Sequence, residues 1–223
     1  LAGYFYDEIA IGNKVYNSRG GTDIFIAKYS PSGNYIWSEH EGSSKYEGVV
    51  SGSVDNSGNI AISGFFYDFT FIGNNLIFGE GNRDAFIAKY NNMGHFKWVK
   101  TFGGKAADYV SQMTTGKDNS IYLSGYFSSS IDFGDTSFTS NGGIDIFILK
   151  YNSFGQLTWA RNEGSTFNEF SESIFVDDKH NLYISGYFSN FVVFDTITLS
   201  SKGYEDIFVA KYNPNGNVIW AKG

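Results

Sequence analysis

Short apolar runs recur along the chain and are broken at intervals of about 8 to 12 residues by clusters of Gly, Asn, Asp and Ser. No stretch sustains apolar positions at the helical period, so the pattern predicts strands and turns throughout. The runs are also self-similar. Gly3, Gly64, Gly125 and Gly186 share one register with a period of 61 residues. Asp23, Asp84, Asp145 and Asp206 keep the same period and open the segments DIFIAKY, DAFIAKY, DIFILKY and DIFVAKY. Gly33, Gly94, Gly155 and Gly216 follow, and four residues after each comes a tryptophan: Trp37, Trp98, Trp159 and Trp220.

One period predicts four strands. In the second unit they fall near Val49 to Val54, Ile60 to Phe66, Asp84 to Tyr90 and Phe96 to Phe102. They are named A to D. The A–B turn is Asp55-Asn56-Ser57-Gly58-Asn59, and a small hairpin around Gly73 is expected between B and C, recurring near Gly12 and Gly134. The fold class expected is all-β, a β-propeller of four-stranded antiparallel blades, because repeats of this length and strand count suit blades better than solenoid turns. Residues 1–42 would supply B, C and D of a partial blade, and 43–103, 104–164 and 165–223 three full ones. Strand A of the first blade is missing from this scheme, so further repeats of the same chain, or another chain, are expected beside that blade.

Composition narrows the function classes. The chain has 22 Phe, 16 Tyr and 4 Trp, enough for a large core, and no Cys, which excludes disulfides and thiolate chemistry. Sixteen Lys and Arg stand against 23 Asp and Glu, a net charge of −7 with no basic cluster, which argues against nucleic acid. No apolar run is long enough for a membrane helix, so no membrane insertion is expected in this segment. The opening Leu1-Ala2-Gly3 has neither an initiating Met nor a charged leader, so the chain is expected to begin within a longer protein.

The Asp84 to Trp98 segment DAFIAKYNNMGHFKW, with Gly-Gly at 103–104 and the Asp55 turn leading to Ser63-Gly64, resembles the SBBP-type β-propeller repeat of bacterial secreted and surface proteins. The resemblance covers the whole chain and implies an extracellular or cell-surface propeller. It carries no catalytic residues. The pattern is broken at Gly116, Asp118 and Ser120, where the turn Asp is displaced, and at Glu163-Gly164, where the double Gly is incomplete.

Residues repeated in every blade are expected to build the blades. The tryptophans are read as packing between blades, against the alternative of sugar-stacking platforms. Lys28, Lys89, Lys150 and Lys211 lie inside apolar strands, five residues after the repeated Asp. Each is expected to lay its stem on a neighbouring blade and meet an Asp or a carbonyl, because an unpaired buried ammonium is costly. The Asp55 and Asp177 turns lack the alternating acidic ligands of a calcium loop. His40, His95 and His180 fall at unrelated repeat positions, and no GxSxG, HExxH or P-loop pattern is present. No catalytic, cofactor or metal residue is therefore assigned, and no cofactor is expected. The expected role is a non-catalytic scaffold for protein–protein or adhesive contacts, with a lectin-like propeller as the alternative and an enzyme whose site lies elsewhere as a third. Tyr6, Tyr67, Phe69, Asn17, Asn82 and Asn141 are the loop residues singled out for contact with a protein partner or a surface glycan.

Overall fold

The computed structural model describes residues 1–223, and every regular element in it is a strand. The first sheet contains β1 (Ala2–Phe5), β4 (Asp23–Tyr29) and β5 (Tyr35–Glu41) in the order β1-β4-β5, and β2 (Glu8–Ile11) with β3 (Lys14–Asn17) forms a separate hairpin. The second sheet is built from β6 (Glu47–Val54), β7 (Ile60–Phe66), β10 (Asp84–Tyr90) and β11 (Phe96–Phe102), with β8 (Phe69–Ile72) and β9 (Asn75–Phe78) as its hairpin. The third comprises β12 (Tyr109–Thr115), β13 (Ile121–Asp132), β14 (Ser137–Tyr151) and β15 (Leu157–Glu163). The fourth comprises β16 (Glu169–Val176), β17 (Leu182–Phe194), β18 (Ile197–Tyr212) and β19 (Val218–Lys222). In these last two sheets the hairpin has merged into the long central strands.

Within each sheet the strands pair antiparallel and the register repeats: Phe5, Phe66, Phe127 and Phe188 face Asp23, Asp84, Asp145 and Asp206. Two glycine positions show why. Gly33, Gly94, Gly155 and Gly216 sit at φ between 79° and 87° in the turn before the last strand, a region where a Cβ is penalised. A Cβ on Gly64, Gly125 or Gly186 would stand about 2 Å from the carbonyl oxygen of Gly48, Tyr109 or Phe170 on the bulged first strand. The displaced Asp in the third unit leaves its turn unchanged, since Gly116 N–H still donates to Ser120 O as Asp55 does to Asn59 and Asp177 to Asn181.

The core lies between sheets. Ile24 and Ile26 pack with Ile62, Phe66 and Phe86, the residues Ala85 and Ile87 with Leu123 and Phe147, and Ile146 and Ile148 with Ile184 and Phe208. Each such side chain contributes roughly 1.5 to 3 kcal/mol on burial. The dependence on a neighbour is direct. Ile207 and Val209 hold the positions of Ile146 and Ile148, yet are 74% and 38% exposed, because within residues 1–223 no further sheet packs on the fourth.

The first strands of successive sheets meet edgewise. Ser53 and Thr115 share a hydroxyl hydrogen bond, Met113 N–H donates to Ser51 Oγ (3.1 Å), and Gln112 Oε1 accepts from both Ser173 Oγ and Ile174 N–H (2.8 Å each). These strands therefore line the inner side of the assembly, and β5, β11, β15 and β19 lie outermost.

Candidate functional site

The four tryptophans are half-buried. Trp37, Trp98 and Trp159 donate their indole N–H to Asn92 O, Ser153 O and Pro214 O in the turn of the following sheet, at 3.1, 3.3 and 3.1 Å. The turn glycines Gly94, Gly155 and Gly216 rest on the same rings. Trp220, in the last of the four sheets, meets no such turn within residues 1–223. Lys28 donates to Asn92 O at 2.8 Å and Lys150 to Pro214 O at 3.4 Å, with Asp118 of its own sheet 3.9 Å away, and Lys89 forms a buried ion pair with Asp55 of its own sheet at 2.9 Å. Lys211 lies 4.8 Å from the centre of the Tyr183 ring. The Asp55 and Asp177 carboxylates are filled by donors from their own turns. Asp55 takes Ser57 N–H, Asn59 N–H and Asn59 Nδ2, and Asp177 takes Lys179 N–H, Asn181 N–H and Asn181 Nδ2.

Asp23, Asp84, Asp145 and Asp206 each accept the backbone N–H of the residue four before, at 2.6 to 3.2 Å, closing the loop into the third strand. Beside the first three stands a second acid that the repeat pattern did not single out. Glu47, Asp108 and Glu169 stand in one register at the start of the first strand of the next sheet, Asp108 one residue before it, and all are fully buried. Backbone bonds place each beside its partner: Glu47 N–H donates to Thr22 O at 2.9 Å and Asp108 N–H to Arg83 O at 3.0 Å, and a parallel bridge joins Ile144 to Asn168. Burial, with the neighbouring acid adding to it, pushes the Asp108 and Glu169 carboxyls up to about 7. Burial likewise raises Glu47, Asp84 and Asp145 above the ordinary carboxylate range.

The exposed chemistry that is not spent on the scaffold is aromatic. Tyr4, Phe65, Tyr126 and Tyr187 follow the repeated glycine of the second strand in every unit. Tyr109 and Phe170 face them from the first strands, opposite Tyr126 and Tyr187 in the ladder. Tyr109 stacks on Tyr126 with centroids 5.0 Å apart and planes at 14°, and Phe170 stacks on Tyr187 at 4.8 Å and 22°. Phe170 also meets Tyr126 edge-on at 5.0 Å, carrying the row from the third sheet to the fourth. Between the second and third sheets the row continues through a cation. The Arg83 guanidinium carbon lies 4.0 Å from the centre of the Phe65 ring and 4.1 Å from that of Tyr109. Tyr67 flanks Phe65 at 6.0 Å and Tyr46 at 6.4 Å, and at the far end Tyr4, 52% exposed, leans with Phe65 over Gly48. The result is a half-exposed aromatic seam crossing the inner strands of all four sheets.

Of the loop residues singled out from sequence, Tyr67 alone joins this seam. Phe69 packs on Phe78 and under the Lys45 ammonium, and Tyr6, Asn17 and Asn82 are exposed singly. Asn141 is spent on Asp145, to which both its N–H and its side-chain amide donate. The six therefore do not form one site. Apart from the seam, Trp98 and the exposed Phe154 border a cleft of about 450 Å³ that also takes in Lys97, Asn119 and Ser57.

No family model matches the chain. An uncharacterised WD repeat-containing protein of Acanthamoeba polyphaga mimivirus is 25% identical over 269 aligned positions, covering 97% of this chain. The chain spans 19% of that relative's length.

Proposed function

We propose that these residues form an arc of a β-propeller whose role is non-catalytic, a scaffold that docks protein partners on the aromatic seam. Four-stranded antiparallel sheets set side by side with their first strands innermost fit the blades of a propeller, and WD repeats build blades of this kind. The WD-repeat name of the viral relative supports the same reading. The similarity to SBBP-type repeats adds a secreted or cell-surface setting to the proposal, and further blades would continue the arc.

The seam carries the functional part. Tyr, Phe and Arg are the residue types enriched in protein interfaces, and rings already immobilised by stacking lose little entropy on binding. In a scaffold where most of the other repeated polar side chains are tied to the backbone or to a carboxylate of their own or the next sheet, this row is where binding energy remains available. Panning a displayed peptide library against the chain, then retesting binders on Tyr126→Ala and Tyr187→Ala, examines the reading. Binders that lose about tenfold or more in affinity on either change are expected. A chain that yields no seam-dependent peptide, but captures oligosaccharides on a glycan array through Trp98, would replace the scaffold by the lectin reading.

A further inference from the structure

We infer that Arg83, clamped between Phe65 and Tyr109, is a receptor for a carboxylate on an acidic peptide segment of the partner. This rests on the scaffold reading and sharpens it to one ligand chemistry. The chain has three arginines, and two of them are spent internally. Arg19 donates to Gly42 O at 2.8 Å, and Arg161 donates to Gly216 O at 2.6 Å and to Asn217 Oδ1 at 3.0 Å. Arg83 has no side-chain hydrogen bond and no ion pair, and its Nε is buried without an acceptor. Of the five donors of this guanidinium only Nε–H is buried without an acceptor, which is costly, and the terminal nitrogens stay open to a carboxylate whose geometry their fork matches.

The site is also prepared. Arg83 O accepts Asp108 N–H at 3.0 Å and a parallel bridge joins Arg83 to Ala107, so its backbone is fixed where the second and third sheets meet. Phe65 and Tyr109 both lie against the guanidinium, their ring centres 4.0 and 4.1 Å from its carbon. Such a fork loses little freedom when a ligand arrives. Repetition does not account for it. The positions equivalent to Arg83 are Thr22, Ile144 and Glu205, and those equivalent to Tyr109 are Gly48 and Phe170, so the clamp occurs once among four units. Residues that build the sheets recur in register, whereas this cation is singular in a chain of net charge −7. Two rings against one fork suit a peptide in which carboxylates alternate with apolar or aromatic side chains.

The test follows the side-chain Nε–Hε resonances of the intact 223-residue chain. The chain is titrated with a blocked Glu-Phe-Glu-Phe-Glu peptide, its Gln counterpart, and a glucuronate oligosaccharide. The expected result is a saturable shift of the Arg83 resonance with the acidic peptide alone, while Arg19 and Arg161 stay still. Arg83→Met should weaken binding by about tenfold or more, and Arg83→Lys, which keeps the charge but not the fork, should recover only part. The Arg83→Lys variant also keeps the assignment testable if the Arg83→Met change disturbs the junction. Absence of a saturable shift, equal shifts of all three arginines, unchanged affinity in Arg83→Met, or tighter binding of the glucuronate would overturn the assignment. A panned peptide that needs Tyr126 but is indifferent to Arg83→Met would sink this inference and leave the scaffold standing.

Discussion

Replacing Asp108 with Asn should make the protein more stable in mild alkali, although it alters a fully buried residue. Asp108 Oδ2 accepts Gly104 N–H at 2.9 Å, its Oδ1 has no partner, and Asp84 stands beside it across the sheet junction. Its carboxyl is pushed up from an ordinary 3.8 to about 7 by burial, against the opposing Gly104 N–H bond and with the Asp84 charge adding a smaller share. A folded value above the unfolded one means that the contribution to stability is complete below the unfolded value and is lost as pH rises towards 7. At about 1.4 kcal/mol per unit, the loss has a ceiling of about 4 kcal/mol, and we take about 2 kcal/mol as the working figure because Asp84 shares the titration. Glu169, also near 7, loses stability in the same direction and over the same window. The lowered carboxylates Asp55, Asp118 and Asp177 act below pH 4 and leave this window clear. Asn keeps an acceptor for Gly104 N–H, and it cannot ionise. Urea unfolding should therefore show wild-type stability falling between about pH 4 and about pH 7 and levelling above that, with Asp108→Asn matching it at the acid end and exceeding it by about 2 kcal/mol at about pH 8. A wild-type profile that is flat across this range, or a variant less stable than wild type at about pH 8, would refute the argument.

Other changes test the joints between sheets. Lys89→Ala leaves the buried Asp55 carboxylate without its cation and should cost about 3 to 5 kcal/mol in denaturant unfolding, whereas Lys28→Ala, whose amine reaches only a carbonyl at the surface, should cost under about 1 kcal/mol. Gly33→Ala and Gly155→Ala place a Cβ at nearly the same positive φ, but only the second meets a neighbour, Trp98 at 2.8 Å. The first should lower stability by about 1 kcal/mol and the second by clearly more, read from the two unfolding midpoints. Trp159→Phe removes the N–H donated to Pro214 O while keeping most of the ring, and should cost about 1 kcal/mol with a measurable drop in Tm.

Much of the scaffold could be read from sequence because its causes are local and repeat. The strands Ile60–Phe66, Asp84–Tyr90 and Phe96–Phe102 follow from apolar runs bounded by turn residues, and the turn glycines from the positive φ their turns require. The buried acids Glu47, Asp108 and Glu169 kept the same period and were still missed. Their side chain alternates between Glu and Asp, and an acid at a strand start ordinarily reads as solvated. Only the neighbouring sheet makes them buried. The seam was half legible: the aromatic after each repeated glycine was visible in Tyr4, Phe65, Tyr126 and Tyr187, but not that Tyr109 and Phe170 would lie flat against two of them. Strand alternation gives the face of a side chain and says nothing of what the next sheet sets against it.

The Arg83 clamp shows where that boundary falls. Its three members come from the end of β7, the residue before β10 and the start of β12, on two sheets, and no spacing rule links them. A repeat protein gains stability from nearest-neighbour contacts, so selection on the fold acts on every copy of a position together. A residue that departs from its three equivalents is released from that demand at the position where it departs. When such a residue is also a cation with unspent donors, held rigid between two rings at a junction the backbone has fixed, folding alone does not account for its chemistry, whereas a partner's carboxylate does. Repetition in this chain marks what holds the sheets together, and function is to be sought where the repetition fails.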